Sequence, residues 1–205
     1  MSTSPPENFR NLPLRCAIGE RDTMFDRIGL ARRFFARLAE LQKADGAANA
    51  YPHFFDEQAG RAHGIDYKAG PAWIARYTRN PWPARVVWTV QPLHGVVRRQ
   101  MYWLALDQVP EKTTLCLTAS VARNVVTLSA EKKGADAQRV PATSIALRIY
   151  LNDTLADLDQ TVRIVVNGKP MFDGKVIRRI ATLARSLNER GDPYFMFPIE
   201  IPIQL

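Results

Sequence analysis

Two prolines separated by one residue, Pro81 and Pro83, divide the chain into parts with different hydrophobic periods. Proline fixes φ, lacks an amide hydrogen and restricts the residue before it, so this segment favours an extended connector over a helix. Apolar residues before it recur mostly at helical spacing, and those after it alternate as in strands. We therefore predict a first part over residues 1–79, a connector over residues 80–84 and a second part over residues 85–205.

The first part has the pattern of a strand, a helix and a second strand. Residues Leu12–Ile18 form a short apolar run that ends at Gly19, which is typical of a strand in a covered parallel sheet. Asp26 can cap a helix over Arg27–Lys43, and Tyr51–Phe55 is a second strand candidate. The helix would bury one face, formed by Leu30, Phe34, Leu38 and Leu41.

The second part reads as an antiparallel β-sandwich with one helix, which makes the whole chain a two-part α+β protein. Asn167-Gly168 is the strongest hairpin signal, because a type I′ turn needs positive φ at both central residues. A helix is predicted over Lys175–Arg190, with an apolar seam of Val176, Ile180, Leu183 and Leu187. Prolines confine the final strand, Phe195–Ile203, to a sheet edge. The other predicted strands are Val86–Trp88, Gln100–Leu106, Leu115–Thr118, Val125–Leu128, Ile145–Tyr150 and Val162–Val166.

An acidic residue follows the first predicted strand, and a histidine follows the second. Asp22 ends the loop after the first strand, and His63 lies between Gly60 and Gly64. An imidazole needs one nitrogen held by an acceptor so that the other can take a proton. Asp26 and Asp66 are the alternatives to Asp22 as the carboxylate that holds the ring of His63. The alternative interpretation of His63 is that it is a structural or merely exposed loop histidine.

These features together resemble the C-terminal part of bacterial α/β-hydrolases of the esterase and prolyl-oligopeptidase-like kind, which carry an appended C-terminal β-domain. The resemblance spans residues 8–203 and implies that Asp22 is the triad acid, that His63 is the triad base and that the first part is a portion of the hydrolase domain. The segments that carry it are Asn8–Pro13, Gly19–Asp22, Gly60–Gly64, Tyr77–Pro81, Tyr102–Leu104, Leu151–Asp153 and Val166–Lys169.

The nucleophilic serine of that family is missing. Its triad runs in the order serine, acid, histidine, and only Ser2 and Ser4 precede Asp22, neither of them in a Gly-x-Ser-x-Gly turn. The later serines also lack flanking glycines; they are Ser120, Ser129, Ser144 and Ser186.

Without a nucleophile or an oxyanion loop, whose donors each contribute about 3 kcal/mol of transition-state stabilisation, we expect this chain to be inactive alone. The chain would act on an ester or a peptide only when a separately encoded N-terminal hydrolase half completes the active site. Its unpaired strand edge should be covered by that half, by a second copy in a homo-oligomer or by the β-sandwich of the same chain.

A second hypothesis is that the β-sandwich is a non-catalytic binding or interaction module. Four tryptophans with nearby arginines could form a platform, although packing in the interior accounts for them more simply; they are Trp73, Trp82, Trp88 and Trp103. Nucleic acid is disfavoured as a partner despite the net charge of +8, because the 28 basic residues are spread along the chain without a block.

The sequence predicts no metal site and no cofactor. The two cysteines and three histidines have no paired zinc spacing, and the acids Asp153, Asp157 and Asp159 lack the glycine and distal glutamate of a calcium loop. The chain contains no run of eighteen apolar residues, so no membrane span is predicted. The first residues have neither a basic start nor an apolar core, so no secretory signal is predicted and the cytoplasm is the default compartment.

Overall fold

The computed structural model describes residues 5–91, 98–110, 113–134 and 138–205. The chain divides into two units, one ending at Asn80 and the other beginning at Pro81. The described residues form a mixed α+β structure with three α-helices, one parallel two-stranded sheet and two larger sheets. None of the described helices is both long and apolar enough to cross a membrane.

The first unit is built on a parallel strand, helix, strand arrangement. Its elements are β1 (Leu14–Gly19), α1 (Arg27–Asp45), β2 (His53–Gln58) and α2 (Ala69–Ile74). Strand β1 pairs with β2 in parallel, with Leu14 opposite His53 and Gly19 opposite Gln58. The second strand starts two residues later than predicted, after Tyr51, whose φ of 48° is incompatible with an extended strand.

Helix α1 covers the sheet through a small aromatic and aliphatic core. Leu38 is fully buried as predicted, and Phe35 stacks on Phe55 with ring centres 4.9 Å apart. A buried ion pair lies at the last residue of the helix, Asp45. Arg10 Nε and Nη2 lie 2.8 and 2.9 Å from its two carboxylate oxygens. Asp26 does precede the helix, but with a φ of 56° its side chain makes no capping hydrogen bond.

The second unit contains two sheets. The strands are β3 (Arg85–Val90), β4 (Gln100–Met101), β5 (Leu104–Leu106), β6 (Thr114–Ala122), β7 (Val125–Lys133), β8 (Arg139–Pro141), β9 (Ala146–Leu151), β10 (Val162–Val166), β11 (Lys169–Gly174) and β12 (Ile199–Gln204). Their orders in the two sheets are β11-β10-β7-β6-β3, with β8 also paired to β7, and β12-β9-β5-β4.

The prediction of a wholly antiparallel sandwich is wrong at one pair. Strand β10 runs parallel to β7, with Ile164 opposite Val126. The chain passes through β9, in the other sheet, between these two strands, so β10 can return in the same direction as β7. Buried residues of both sheets form one hydrophobic core, which includes Trp88, Leu117, Ile149 and Ile201.

Two turns decide the local strand boundaries. Asn167 and Gly168 have φ of 49° and 79° and join β10 to β11, as the hairpin prediction required. The predicted strand Gln100–Leu106 is instead a hairpin of β4 and β5, because Tyr102 takes a φ of 51° and reverses the chain. The last strand lies at a sheet edge, as predicted from its prolines.

The predicted helix Lys175–Arg190 is shorter, and its buried face differs. Helix α3 spans Ile180–Arg190 and buries Thr182 and Ser186, whereas Ile180 is 85% exposed. At its C-terminal end the Arg190 guanidinium lies over the rings of Tyr150, Phe195 and Phe197, and burial lowers its pKa to about 10. The buried side chains of this helix are therefore polar, and the predicted seam residues Leu183 and Leu187 are half-buried.

Candidate functional site

The loops that follow β1 and β2 meet at one edge of the parallel sheet. Because the two strands run in the same direction, their carboxyl ends lie side by side. Backbone hydrogen bonds then join the loops: the Glu20 amide donates to the Gln58 carbonyl over 3.0 Å, and the Arg21 amide donates to the Arg61 carbonyl over 2.8 Å. The Gly60 amide donates to the Glu20 carboxylate over 2.8 Å.

Gly19, the last residue of β1, lets the two loops approach this closely. A Cβ atom at this position would lie 1.9 Å from the Ala62 carbonyl oxygen and 2.4 Å from that of Arg61. Both distances are far below van der Waals contact. The absence of a side chain at Gly19 therefore places the segment Arg61–Ala62, and with it the next residue, His63, against the acidic loop.

Asp22 and His63 are in hydrogen-bond contact. The distance from His63 Nδ1 to Asp22 Oδ2 is 3.1 Å across 41 positions of sequence. The aspartate is 7% exposed, while the histidine side chain is 81% exposed. A sheltered carboxylate thus faces one ring nitrogen, and most of the imidazole stays open to solvent.

A third side chain, Arg27, completes the cluster. Its Nη1 atom lies 3.5 Å from Asp22 Oδ1 and 3.3 Å from His63 Nδ1. The hydrogen bond from His63 lowers the pKa of Asp22 below its usual value, and the charge of Arg27 acts in the same direction, while burial opposes both. The carboxylate is therefore ionised at neutral pH.

Arg27 was not among the site residues predicted from the sequence, although its position carries a signal. It is the first residue of α1, and the first turn of this helix contains no acidic residue. A cation at a helix N-terminus is opposed by the helix dipole. An arginine there indicates a compensating anion nearby, and Asp22 supplies it.

The two alternative acids have other partners. The exposed Asp26 carboxylate accepts a hydrogen bond from Arg33 Nη2 over 2.7 Å. Asp66 Oδ1 accepts the Lys68 amide over 2.9 Å, which is a local turn contact. Among the described residues, Asp22 is thus the carboxylate within hydrogen-bond distance of His63.

No serine occurs between residues 5 and 80, so the described part of the first unit offers no serine hydroxyl to His63. Ser2 and Ser4 lie outside the described residues. In the second unit Ser186 is buried, donating to the Leu183 carbonyl and accepting the Phe197 amide over 3.0 and 2.9 Å. Cys16 is half-buried in β1, and burial raises the pKa of its thiol, which disfavours the nucleophilic thiolate.

The tryptophans do not form a binding platform. Trp88 and Trp103 lie in the core of the second unit, and Trp73 is buried in the first unit between Phe54 and Tyr77. Trp82 is half-buried, and its Nε1 donates to the Tyr194 carbonyl over 2.6 Å. Packing within each unit accounts for all four rings.

The acids considered for calcium are engaged otherwise. Arg178 binds the carboxylates of both Asp153 and Asp159, and Asp157 accepts the amide of Asp159 over 3.1 Å. The described residues contain no group of three or more histidine, cysteine or acidic side chains placed to hold a metal ion.

The second unit has a groove of about 440 Å³ along its edge strand β12. Its walls come from residues 175–177, Arg179, the first turn of α3 and β12, and they combine apolar side chains such as Val176 and Ile199 with Lys175 and Arg179.

Comparison with models of protein families, with curated proteins and with solved structures gives no match. The chemical interpretation of the cluster therefore depends on the residues and their geometry.

Proposed function

We propose that this chain is the C-terminal portion of a serine hydrolase of the α/β-hydrolase class, acting on a carboxylic ester or a peptide. In this proposal Asp22 is the triad acid, His63 is the triad base, and the serine comes from a polypeptide segment outside these 205 residues. The observation that carries the proposal is the 3.1 Å contact between His63 Nδ1 and Asp22 Oδ2 at the carboxyl edge of parallel strands.

The arrangement suits the chemistry of a triad in three respects. A carboxylate that stays ionised can hold Nδ1–H and stabilise the imidazolium that forms when Nε2 takes a proton. Asp22 is sheltered, so the charge interaction is less screened by water than it would be on an open surface. The exposed ring of His63 remains accessible to a hydroxyl group on another segment.

A partner or a further segment is also supported by the small sheet. Within the described residues β1 pairs with β2 alone, although parallel sheets are usually covered on both faces and extended by further strands. Large apolar side chains near the cluster are exposed, with Met24 at 60% and Phe25 at 68%. Such surface favours association, with the nucleophile-bearing part of the hydrolase or with a second copy of this chain.

The test is reconstitution of activity. The product of the coding sequence directly upstream is expressed with this chain, and turnover of p-nitrophenyl esters and labelling by a fluorophosphonate probe are measured. We expect neither signal from this chain alone and both from the combination. Asp22→Asn and His63→Gln should reduce turnover by about 10⁴-fold, whereas the matched variants Asp26→Asn and Asp66→Asn should retain it.

Serine labelling with steady turnover by the chain alone would contradict the requirement for an outside nucleophile. Equal activity of the His63→Gln combination and the unmodified combination would contradict the assignment of the base. Light scattering of the purified chain at high concentration distinguishes self-association from a requirement for the other half, since a strict monomer excludes the homo-oligomer.

The second candidate function is a non-catalytic binding or interaction module, and the groove along β12 is the observation in its favour. Under this hypothesis substitutions at Asp22 and His63 have no functional effect, while Val176→Asp, in the groove wall, abolishes binding. Loss of turnover in the Asp22 and His63 variants of the reconstituted protein would therefore count against this second hypothesis.

A further inference from the structure

The Nδ1 atom of His63 has two polar neighbours with conflicting demands. Asp22 Oδ2, at 3.1 Å, can only accept a hydrogen bond, and Arg27 Nη1, at 3.3 Å, can only donate one. In a neutral imidazole each nitrogen either carries a hydrogen or presents a lone pair. Nδ1 can therefore satisfy one of these neighbours at a time.

The choice between them fixes the tautomer of the ring. With the hydrogen on Nδ1, His63 donates to Asp22 and Nε2 keeps the lone pair that a general base needs. With the hydrogen on Nε2, Nδ1 accepts from Arg27, and the lone pair of the ring is directed at the guanidinium. Asp22 then keeps Arg27 as its charged neighbour, 3.5 Å away.

Local structure holds Arg27 in this position. Its guanidinium carbon lies 5.5 Å from the centre of the Phe25 ring, within the range of a cation–π contact. Phe25 and Asp26 have φ of 55° and 56°, a left-handed conformation that non-glycine residues rarely adopt in succession. The backbone is thus bent so that an exposed aromatic ring lies beside the arginine at the start of α1.

We propose that Arg27 sets the tautomer of His63. Its guanidinium holds part of the neutral His63 population in the Nε2–H form, which has no lone pair on Nε2 to accept a proton there, and drawing the guanidinium away moves the ring to the Nδ1–H form. Arg27 is in this sense a positioning residue for the acid and base pair. The catalytic meaning of the inference rests on the proposed function, but the tautomer itself can be measured in this chain.

The experiment is ¹⁵N spectroscopy of the full chain labelled at its histidines, recorded through an alkaline series until the ring shifts stop changing. His53 is an internal reference, because its Nδ1 lies 2.7 Å from the Tyr51 carbonyl oxygen and must carry the hydrogen in the neutral ring. The signals are assigned with His63→Gln and His94→Gln. Amide spectra establish that each variant is folded.

Arg27→Met removes the donor and the charge while keeping an unbranched apolar side chain. Arg27→Lys restores a donor, and Arg33→Met removes the same charge from an exposed position of α1. We expect the His63 nitrogen shifts to lie between the two tautomer patterns in the unmodified chain. The His63 nitrogen shifts should move to the His53 pattern in Arg27→Met and stay unchanged in Arg33→Met. In Arg27→Lys a measurable Nε2–H population of His63 should remain. Phe25→Ala, which releases the guanidinium, should shift part of the population the same way.

An unmodified chain in which His63 already has the full His53 pattern would overturn the proposal. Identical His63 shifts in the unmodified chain, Arg27→Met and Phe25→Ala would overturn it as well. Failure of the proposed function is a separate result, in which the tautomer changes as expected while reconstitution with the upstream product gives no turnover.

Discussion

Replacing Gly19 by alanine tests the packing that brings Asp22 and His63 together. The new Cβ atom would lie 1.9 Å from the Ala62 carbonyl oxygen, and ordinary contact begins at 3.4 Å, so the histidine loop must retreat by about 1.5 Å. A movement of that size exceeds the tolerance of the 3.1 Å contact between His63 and Asp22. Overpacking of this kind costs about 1–3 kcal/mol of unfolding free energy.

The matched control is Gly64→Ala, in the same loop. A Cβ atom at Gly64 meets nothing within 4 Å, and its φ is not positive, so we expect an unchanged structure and stability. The assay combines urea denaturation followed by circular dichroism with detection of the His63 Nδ1–H proton by NMR. Gly19→Ala should lose both stability and the proton signal. If Gly19→Ala retains both, the close approach of the loops is not what positions His63.

Three further predictions concern charge and turn chemistry. The pKa of Asp22 is lowered in the folded chain, so its ionised form stabilises the fold above the ordinary carboxyl pKa of about 3.9. This contribution is lost as the pH falls through the lower pKa of the folded state. In urea titrations the stability difference between the unmodified chain and Asp22→Asn should therefore shrink with acidification. Asp45→Asn removes the buried partner of Arg10 and should cost about 3 kcal/mol by urea denaturation, whereas Arg37→Met, which removes only exposed pairs, should cost under about 1 kcal/mol. Asn167→Ala should lower the thermal midpoint, because it strains a residue at φ 49° and deletes side-chain bonds of 2.9 and 3.0 Å to the Ala130 backbone, while Asn167→Gly loses only the bonds and should lower it less.

The sequence predicts best those features that local chemistry decides. The Asn-Gly turn at residues 167 and 168 follows from backbone sterics alone, and the structure has it with positive φ at both residues. The glycine at position 191, with a φ of 63°, likewise ends α3 as predicted. These positions need no knowledge of tertiary packing.

Features that depend on tertiary packing were predicted less well. Ser186, one of the two buried residues of α3, donates to the Leu183 carbonyl and accepts the Phe197 amide, so its burial follows hydrogen bonding rather than hydrophobicity. The chain reversal at Tyr102 has no glycine, asparagine or proline to mark it. Parallel pairing of β7 and β10 is set by the route of the chain between two sheets, which periodicity does not encode.

The candidate site shows the same division. The contact between Asp22 and His63 was expected from two loops at the ends of successive parallel strands. The position of Arg27 beside this pair was not expected, because it depends on a left-handed backbone at Phe25 and Asp26 that neither residue type suggests. Asp22 and His63 were predicted to meet from the sequence, and the structure added Arg27 as a second polar neighbour of the His63 ring.

Within the described part of the chain, the contacts that hold this cluster join residues of the first unit. The loops are linked by the backbone hydrogen bonds from Glu20 to Gln58 and from Arg21 to Arg61. The most distant pair, Asp22 and His63, is separated by 41 positions of sequence. A strand, helix and strand with short connections can form these contacts without a distant segment. Under the proposed function, a pair built in this way is ordered before a nucleophile arrives. Docking of a hydroxyl-bearing segment would then need movement of Arg27 and no refolding, so we expect reconstituted activity to appear at the rate of association.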